Sequence, residues 1–338
     1  MPKQTRSTNR PIAGNPKADI LIVGDCPDGW AIKDGKPFSS QAGSILQQCL
    51  HQAGLLTSQV CMTNFVYDQK DIKKIWREKG AKGPSQLKGD IKHYRESLHQ
   101  FITEHSPKVI VAMGELTMYA LTGESSINKI RGFPYKTPKE NRLVIPTIHV
   151  KNTVRTNYLW RHYISHDLKK AKECAEELMW APSIRISIPA DLSQAVKMIR
   201  DMNVDGKRVA FDIEVSNFIT SCIGFSDKAG TGCSIPVDDR WTIEEEITIW
   251  EELAKLLENP NVIKIAQNGI FDIHFLIYTM GIFTTGYKPD EPKLEDTMMS
   301  HSIMYPDFLK GLSFLASIYT KYPYWKDELE HKPIKKDD

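Results

Sequence analysis

The sequence predicts an α/β protein built from two domains, the first a three-layer α/β/α domain and the second another α/β domain. Short apolar runs that stop at glycine, such as 18–24 (ADILIVG), indicate buried parallel strands. Amphipathic stretches typical of helices alternate with these runs along most of the chain. A length of 338 residues with 41% hydrophobic residues is sufficient for more than one hydrophobic core.

The first domain is predicted over 19–179, after a polar arm at 1–18 whose lack of periodicity indicates disorder. Its expected strands are 18–24, 60–66, 107–113 and 143–149, and its expected helices are 41–53, 88–104, 115–121 and 158–179. Residues 180–190 contain two prolines and are interpreted as a linker that includes the first strand of the next domain.

The second domain is predicted over 191–338. Its expected strands are 208–214, 221–224, 231–237 and 262–266, and its expected helices are 191–202, 242–258, 268–278, 294–305 and 309–319. Asp191 and Thr242 have the residue types that cap helix N-termini.

Composition excludes several protein classes. The N-terminus is polar and basic, without the apolar segment of a secretory signal, and no apolar run is long enough to cross a membrane, so we expect no membrane partner. The six cysteines form no C-x-x-C pair, which argues against a zinc site or an iron–sulfur cluster. Residues 1–180 carry 27 Lys and Arg against 17 Asp and Glu, a net charge of +10 that favours a polyanionic partner.

Two carboxylates one residue apart stand at the end of the strand predicted at 208–214. Side chains at positions i and i+2 of a strand share a face, so Asp212 and Glu214 should project together, while Phe211 and Ile213 face the core. Such a pair is unfavourable unless a cation lies between the two charges, and Mg²⁺ prefers oxygen ligands. A solvated acidic strand end is the alternative at this point.

The stretch 24–43 (GDCPDGWAIKDGKPFSSQAG) resembles the first motif of the family-4-type uracil-DNA glycosylases, and later motifs keep the family order. The resemblance implies that Phe38 stacks on a flipped base and that Asn64 reads its Watson–Crick edge. It further implies that His149 stabilises the developing oxyanion and that Asp25 takes the place of the catalytic carboxylate.

The first domain also departs from this family. Asp25 stands where the family has a glutamate, Val150 follows His149 where the family has a proline, and the iron–sulfur cysteines are missing. Two readings therefore stay open for the glycosylase-like fold: a non-catalytic DNA-binding or processivity module, and an active uracil-DNA glycosylase. Under either reading we expect five basic residues to contact DNA phosphates, namely Lys73, Lys74, Arg77, Arg131 and Arg155.

Asn268 and Asp272 are four residues apart in a predicted helix, which places them on one helical face. The segments 294–298 (LEDTM) and 311–316 (GLSFLA) follow later in the chain. With the D-x-E strand, this order of motifs resembles the DEDD-type 3′→5′ exonucleases, and in particular the proofreading domain of phage-type family A DNA polymerases. Asp296 is interpreted as a helix N-cap rather than a ligand, and His274 and His301 as packing or surface residues.

This second resemblance implies metal-dependent hydrolysis of DNA 3′ ends, with Asp212, Glu214 and Asp272 as catalytic residues and ligands of two Mg²⁺ or Mn²⁺ ions, and Asn268 positioning the substrate. The family's fourth carboxylate, in a Tyr-x-x-x-Asp motif, is not found after Asp296, so we expect an RNase H-like exonuclease domain truncated at its C-terminus, and an activity that the missing carboxylate could abolish.

The expected protein is therefore the N-terminal part of a phage family A polymerase, a replication and proofreading module. The resemblance implies single-stranded 3′ ends and primer–template DNA as partners. It also implies a polymerase module, in the same chain or in a separate one, and a location in the cytoplasm of the bacterial host cell.

Overall fold

The computed structural model describes residues 10–67, 92–177, 183–284 and 294–325. The chain divides into two compact units, Met1–Ala181 together with Ala316–Asp338, and Pro182–Leu315. The described residues 316–325 pack with the first unit, whereas the prediction assigned them to the second domain, 191–338. No helix in these described ranges is both long and apolar enough to cross a lipid bilayer.

The first unit is built on a six-stranded sheet with the order β1-β3-β2-β4-β6-β5. Its strands are β1 (Ala13–Gly14), β2 (Ile20–Gly24), β3 (Val60–Asn64), β4 (Val109–Met113), β5 (Tyr135–Lys136) and β6 (Leu143–Thr147). The four central strands are parallel, largely buried and mostly apolar, whereas β1 and β5 add antiparallel edges. Continuous apolar runs fit such strands because helices cover both of their faces.

Helices lie on both sides of this sheet. They are α1 (Gly29–Asp34), α2 (Gln41–Gln52), α3 (Lys92–His105), α4 (Glu115–Thr122), α5 (Ile127–Ile130), α6 (Lys151–Arg155) and α7 (Trp160–Glu177). Leu21 and Val23 of β2 pack in one core with Leu98 and Ile102 of α3, while α7 contacts β2, β4 and β6. The predicted three-layer α/β/α arrangement is confirmed.

The N-terminal arm is ordered from residue 10 onward, which corrects the prediction of disorder for that part of 1–18. Ala13 pairs with Met62 across β1 and β3, so the arm extends the sheet. Arg10 is buried, donates hydrogen bonds to the carbonyl oxygens of Asn64 and Phe65, and lies 5.0 Å from the centre of the Tyr67 ring. Residues 1–9 lie outside the described chain.

A buried polar network joins residues 316–325 to the rest of the first unit. The guanidinium of Arg131 donates to Asp167 Oδ1 and to Ser317 Oγ, both at 2.5 Å. Lys170 Nζ donates to the carbonyl oxygens of Gly132, at 2.7 Å, and of Ser317. Because buried charges are costly without partners, this segment stabilises the two cations beneath it.

The second unit also contains a six-stranded sheet, with the order β12-β11-β8-β9-β10-β7. Its strands are β7 (Arg185–Ser187), β8 (Arg208–Ser216), β9 (Ile219–Ser226), β10 (Thr231–Pro236), β11 (Ile263–Ala266) and β12 (Leu294–Asp296). β9 is antiparallel to β8 and to β10, whereas β8, β11 and β12 run parallel. β7 lies within the predicted linker and pairs with β10.

The helices that follow in chain order are α8 (Leu192–Met202), α9 (Ile243–Glu258), α10 (Ile270–Met280), α11 (Thr297–Met304) and α12 (Leu312–Tyr319). Asp191 and Thr242 cap α8 and α9 as predicted, each accepting a backbone N–H with its side chain. The prediction of helix for 294–305 is wrong at its beginning, because Leu294–Asp296 pairs in parallel with β11 as a strand.

Candidate functional site

Two carboxylates lie on the open face of β8, as their spacing predicts. Asp212 and Glu214 are exposed, while Phe211 and Ile213 are buried in the core of the second unit. That core includes Leu253 of α9, so α9 covers the opposite face of the strand. Partial burial and the nearby charges of Asp272 and Glu214 raise the pKa of Asp212 to about 6.

Asp272 comes from the first turn of α10 and is buried. Its Oδ1 accepts the backbone N–H of Ile213 at 3.1 Å, which ties the helix to the strand that carries Asp212 and Glu214. Burial raises the pKa of Asp272. Asp272 thus lies close enough to Asp212 and Glu214 for their charges to interact.

Asn268 does not lie on the same helical face as Asp272, which corrects the prediction. It precedes the helix, which begins at Ile270, and adopts a left-handed backbone conformation with φ of 59°. Residues outside the helical turn do not follow its i, i+4 relation. Asn268 is nevertheless exposed beside the N-terminus of α10, so its role in positioning substrate stays a prediction.

Asp296 acts as the helix cap that the sequence indicates. Its Oδ1 accepts the N–H groups of Met298 and Met299 at 2.8 and 3.1 Å, and its Oδ2 accepts the N–H of Gly269 at 2.8 Å. The carboxylate is therefore occupied by three backbone donors at the point where α10 and α11 begin. His301 is buried among aromatic rings, which confirms its interpretation as a packing residue.

The donor set on β8 and α10 suits a hard divalent cation, because it consists of carboxylate oxygens, and the charges of Asp272 and Glu214 add to burial in raising the pKa of Asp212. Within the described chain, however, no three His, Cys, Asp or Glu side chains stand in the geometry that holds a metal ion. Asp212 and Glu214 are exposed, whereas Asp272 is buried and bonded to the backbone of Ile213.

An exposed aromatic residue beside these carboxylates was not predicted. Phe218 is 90% exposed and, with Asn217, forms a turn of positive φ between β8 and β9. The two residues stand at φ of 51° and 63°, which side chains other than glycine rarely adopt. In the sequence, the signal for this exposed ring is an aromatic residue, Phe218, that follows the strand with Asp212 and Glu214.

In the first unit, three of the four residues assigned to a glycosylase-like pocket converge. A β-carbon added at Gly24 would lie 2.7 Å from Asn64 Oδ1, 2.8 Å from the Phe38 ring and 3.3 Å from His149 Nε2. We call the space that they line the His149 cleft; it also contacts Asp28, Ser40 and Lys151. Its free interior is about 10 Å³, roughly the room of one water molecule.

His149 is a neutral hydrogen-bond donor. The backbone N–H of Lys151 donates to Nδ1 at 3.1 Å, which leaves the ring proton on Nε2. Burial, assisted by the charge of Lys151, lowers the pKa of His149 to about 3. The buried Nε2 has no hydrogen-bond partner among the described residues, so it is poised to donate to an acceptor that enters the cleft.

Asp25 lies outside this cleft, contrary to the role that the glycosylase resemblance implies for it. Its carboxylate lies against Gly114, whose missing β-carbon would stand 2.2 Å from Oδ2, and Oδ1 accepts the N–H of Thr117 at 2.9 Å. Complete burial raises the pKa of Asp25 to about 6. Lys151, which lines the cleft, instead donates to the carbonyl oxygen of Cys26 at 2.6 Å.

The five basic residues predicted to contact phosphates have different outcomes. Arg131 is buried in the network with Asp167 and Ser317, so it is not available to bind DNA, and that prediction is wrong. Arg155 is exposed at the end of α6 and stays a prediction. The remaining three lie outside the described residues: Lys73, Lys74 and Arg77.

Comparison with known proteins adds family assignments to this geometry. The model of the uracil DNA glycosylase superfamily matches residues 11–177, and that of the 3′-5′ exonuclease family matches residues 184–333. The type-4 uracil-DNA glycosylases of Sulfurisphaera tokodaii and Thermotoga maritima are 32% and 30% identical to this chain. Their alignments cover 51% and 47% of the chain, and 77% and 79% of those enzymes.

A DNA polymerase of Bacillus phage SP01 is 26% identical over 325 residues, which is 86% of this chain and 33% of the polymerase. The chain therefore spans about one third of that relative's length. Among solved structures, the EXO domain of Aedes aegypti Nibbler is 15% identical with a TM-score of 0.34, covering 45% of this chain and 77% of that domain.

Proposed function

Because this chain belongs to the uracil-DNA glycosylase superfamily over residues 11–177 and carries a 3′-5′ exonuclease domain over residues 184–333, we propose that it is the N-terminal part of a phage-type DNA polymerase that hydrolyses DNA 3′ ends. The observation that carries the proposal is the arrangement of Asp212, Glu214 and Asp272. Two of these carboxylates are exposed on a sheet face and the third is anchored beside them.

The roles of the chain's own residues follow from this arrangement. Asp212 and Glu214 present oxygen ligands toward solvent, and Asp272 supplies a third from a fixed position. Two bound Mg²⁺ or Mn²⁺ ions would supply an activated water and stabilise the leaving 3′ oxygen. Phe218, at the tip of the β8–β9 hairpin, offers an exposed ring on which a terminal base can stack.

The test follows release of label from 3′-labelled single-stranded DNA by the purified chain in Mg²⁺. We expect release that stops in EDTA, returns with added Mg²⁺ or Mn²⁺, and falls by at least about a thousandfold in Asp212→Ala. Glu251→Ala is the matched control, since Glu251 is an exposed carboxylate of α9, the helix that covers the other face of β8. Release that Asp212→Ala leaves intact contradicts the proposal.

For the first unit we propose DNA binding without uracil excision. Two observations favour it: Asp25 accepts a hydrogen bond from Thr117 and does not line the His149 cleft, and the free interior of that cleft is only about 10 Å³. Incubation with a uracil-containing duplex and then alkali should produce no strand breaks. Breaks that disappear in His149→Ala would instead establish a uracil-DNA glycosylase.

A further inference from the structure

A second, roomier cleft adjoins the His149 cleft in the first unit. Its free interior is about 100 Å³, ten times that of its neighbour and enough for on the order of seven water molecules. Pro27, Ala31 and Asn64 line both clefts. We call this space the Tyr67 cleft; its other lining residues are Pro11, Ile32, Gly35, Lys36, Pro37 and Tyr67.

The walls of the Tyr67 cleft are apolar and stiff. Three prolines line it, and proline has little conformational freedom to lose when a ligand binds. The Tyr67 ring is held between an edge contact with Tyr94, at 5.3 Å between ring centres, and the buried guanidinium of Arg10. A ring fixed in this way is a suitable stacking surface for a planar ligand.

Asn64 lines both clefts and brings a side-chain amide to the boundary between them, with its Oδ1 2.7 Å from the β-carbon position of Gly24. Arg10 donates to the backbone carbonyl of Asn64 and so fixes the end of β3. Asn64 is 4% exposed, and no described residue forms a hydrogen bond with its side-chain amide. An amide provides both donors and an acceptor, the combination that matches the edge of a nucleobase.

A lysine lines the cleft, and helix α1, which contributes Ala31 and Ile32 to the lining, also carries an exposed aromatic ring and a second lysine. Lys36 lines it and is exposed. On α1, Trp30 is 71% exposed, and the Lys33 ammonium lies 5.2 Å from the centre of its ring. Alternating cations and aromatic rings are typical of surfaces that bind single-stranded nucleic acid, because they contact phosphates and bases in turn.

The neighbouring His149 cleft has a free interior of only about 10 Å³ and is bordered by a tightly packed backbone segment. Phe38 adopts a left-handed backbone conformation with φ of 57°, and its carbonyl oxygen lies only 1.6 Å from the β-carbon position of Gly43. The backbone that carries the Phe38 ring is therefore packed directly against α2, which fixes the position of that backbone.

We propose that the Tyr67 cleft binds one unpaired base of single-stranded DNA, with the base on the Tyr67 ring, its edge at Asn64 and the adjacent phosphate at Lys36. The inference rests on the proposed function only in taking DNA as the ligand. The first unit would then bind the DNA strand without excising a base.

Photocrosslinking locates the base directly. The full chain is mixed in EDTA with oligo(dT) that carries one 5-iododeoxyuridine, irradiated, and digested for mass spectrometry. We expect a crosslinked peptide that contains Tyr67. An otherwise identical oligonucleotide with an abasic residue in place of one thymidine should compete at least about fivefold less well, since it keeps the phosphates and loses the stacked base.

Charge reversal tests the phosphate contact without disturbing the core. Lys36→Glu should lower the crosslink yield at Tyr67 about fivefold or more. Lys169→Glu is the matched control, because Lys169 is an exposed lysine of α7 that lines neither cleft and undergoes the same change in charge. Tyr67→Leu should lower the affinity for oligo(dT) about tenfold, and circular dichroism confirms that this variant is folded.

A crosslink to Phe38 or His149 would place the base in the family's own cleft and overturn the inference, as would crosslinks confined to the second unit. Equal crosslink yields from Lys36→Glu and Lys169→Glu would also overturn it. Binding of proline-rich peptides in the cleft, with no binding of DNA, would overturn it as well. Exonuclease release is measured in parallel with Mg²⁺. If no 3′ label is released while the Tyr67 crosslink still forms, the proposed exonuclease function is contradicted and this inference is not.

Discussion

Asp25 of the first unit and Asp212 of the second make an informative pair. Each stands on or directly after a central strand of its sheet, and each has a pKa raised to about 6. Burial is the main cause of the raised pKa of Asp25, with a smaller contribution from the charge of Glu115, and the carboxylate is held by Thr117 and by nothing cationic at hydrogen-bond distance among described residues. Asp212 is exposed, and the charges of Asp272 and Glu214 add to its shift. A bound cation would offset the negative charges around Asp212, whereas complete burial keeps a cation away from the carboxylate of Asp25.

The largest expected effect separates these two acids by activity. Glu214→Gln or Asp272→Asn should lower the rate of 3′-end hydrolysis by about a thousandfold, since each removes a charged oxygen ligand while keeping the side-chain shape. Asp25→Asn should leave the rate within twofold of the original. The measurement is initial release of 3′ label at saturating Mg²⁺.

The contrast between Asp25 and the carboxylates of the second unit is contradicted if Asp25→Asn slows hydrolysis as strongly as the other two substitutions. It becomes sharper if the Mg²⁺ concentration needed for half-maximal rate rises in Glu214→Gln and not in Asp25→Asn.

The second effect concerns the buried cation of the first unit. Arg131→Ala should destabilise that unit by about 3 kcal/mol, because it leaves the Asp167 carboxylate buried without its ion-pair partner. Arg155→Ala, which removes an exposed arginine, should change the free energy of unfolding by less than about 0.5 kcal/mol. Urea unfolding of the full chain, followed by circular dichroism, measures both.

If Arg131→Ala lowers the free energy of unfolding by less than about 1 kcal/mol, the network contributes little to stability. A loss of DNA affinity in that variant, with stability unchanged, would restore Arg131 as a phosphate contact.

The smallest effect is the pH dependence that Asp25 contributes. Its pKa is raised from 3.8 to about 6 in the folded chain, so between these values the folded state binds more protons than the unfolded state. Its contribution to stability therefore falls as pH rises through this window. Asp25→Asn removes that penalty while its amide oxygen still accepts from Thr117, so it should stabilise the chain by about 1–3 kcal/mol at pH 7 and by almost nothing at pH 4.

Unfolding midpoints of the two proteins, measured from pH 4 to pH 7, test this dependence. Parallel curves would mean that the Asp25 carboxyl does not titrate between those values.

Sequence patterns predicted the elements whose periodicity is long or whose apolar run is continuous. The strands around 20–24 and 109–113 and the helix that ends at Glu177 are found within a few residues of their predicted positions. The alternation of Phe211, Asp212, Ile213 and Glu214 also holds, since it depends only on the two-residue repeat of a strand. The cap at Asp296 followed from its residue type and position.

What the sequence did not predict depends on distant partners. Arg131 meets Asp167 and Ser317, which are 36 and 186 positions away, and nothing in the local pattern around Arg131 indicates them. The placement of Asp25 beneath Gly114 likewise arises from the pairing of β2 with β4. Asn268 was misplaced because its four-residue spacing from Asp272 suggested a helix that in fact begins two residues later.

The contact between Ser317 and Arg131 has a consequence for the order of folding. A chain emerging from the ribosome exposes residues 13–177, with the whole first sheet, well before Ser317 has been synthesised. Until then, Arg131 and Lys170 lack their acceptors on that residue. The first unit thus reaches its final stability only after translation has passed through the exonuclease segment. Complete folding of the first unit therefore depends on synthesis of the chain as far as Ser317.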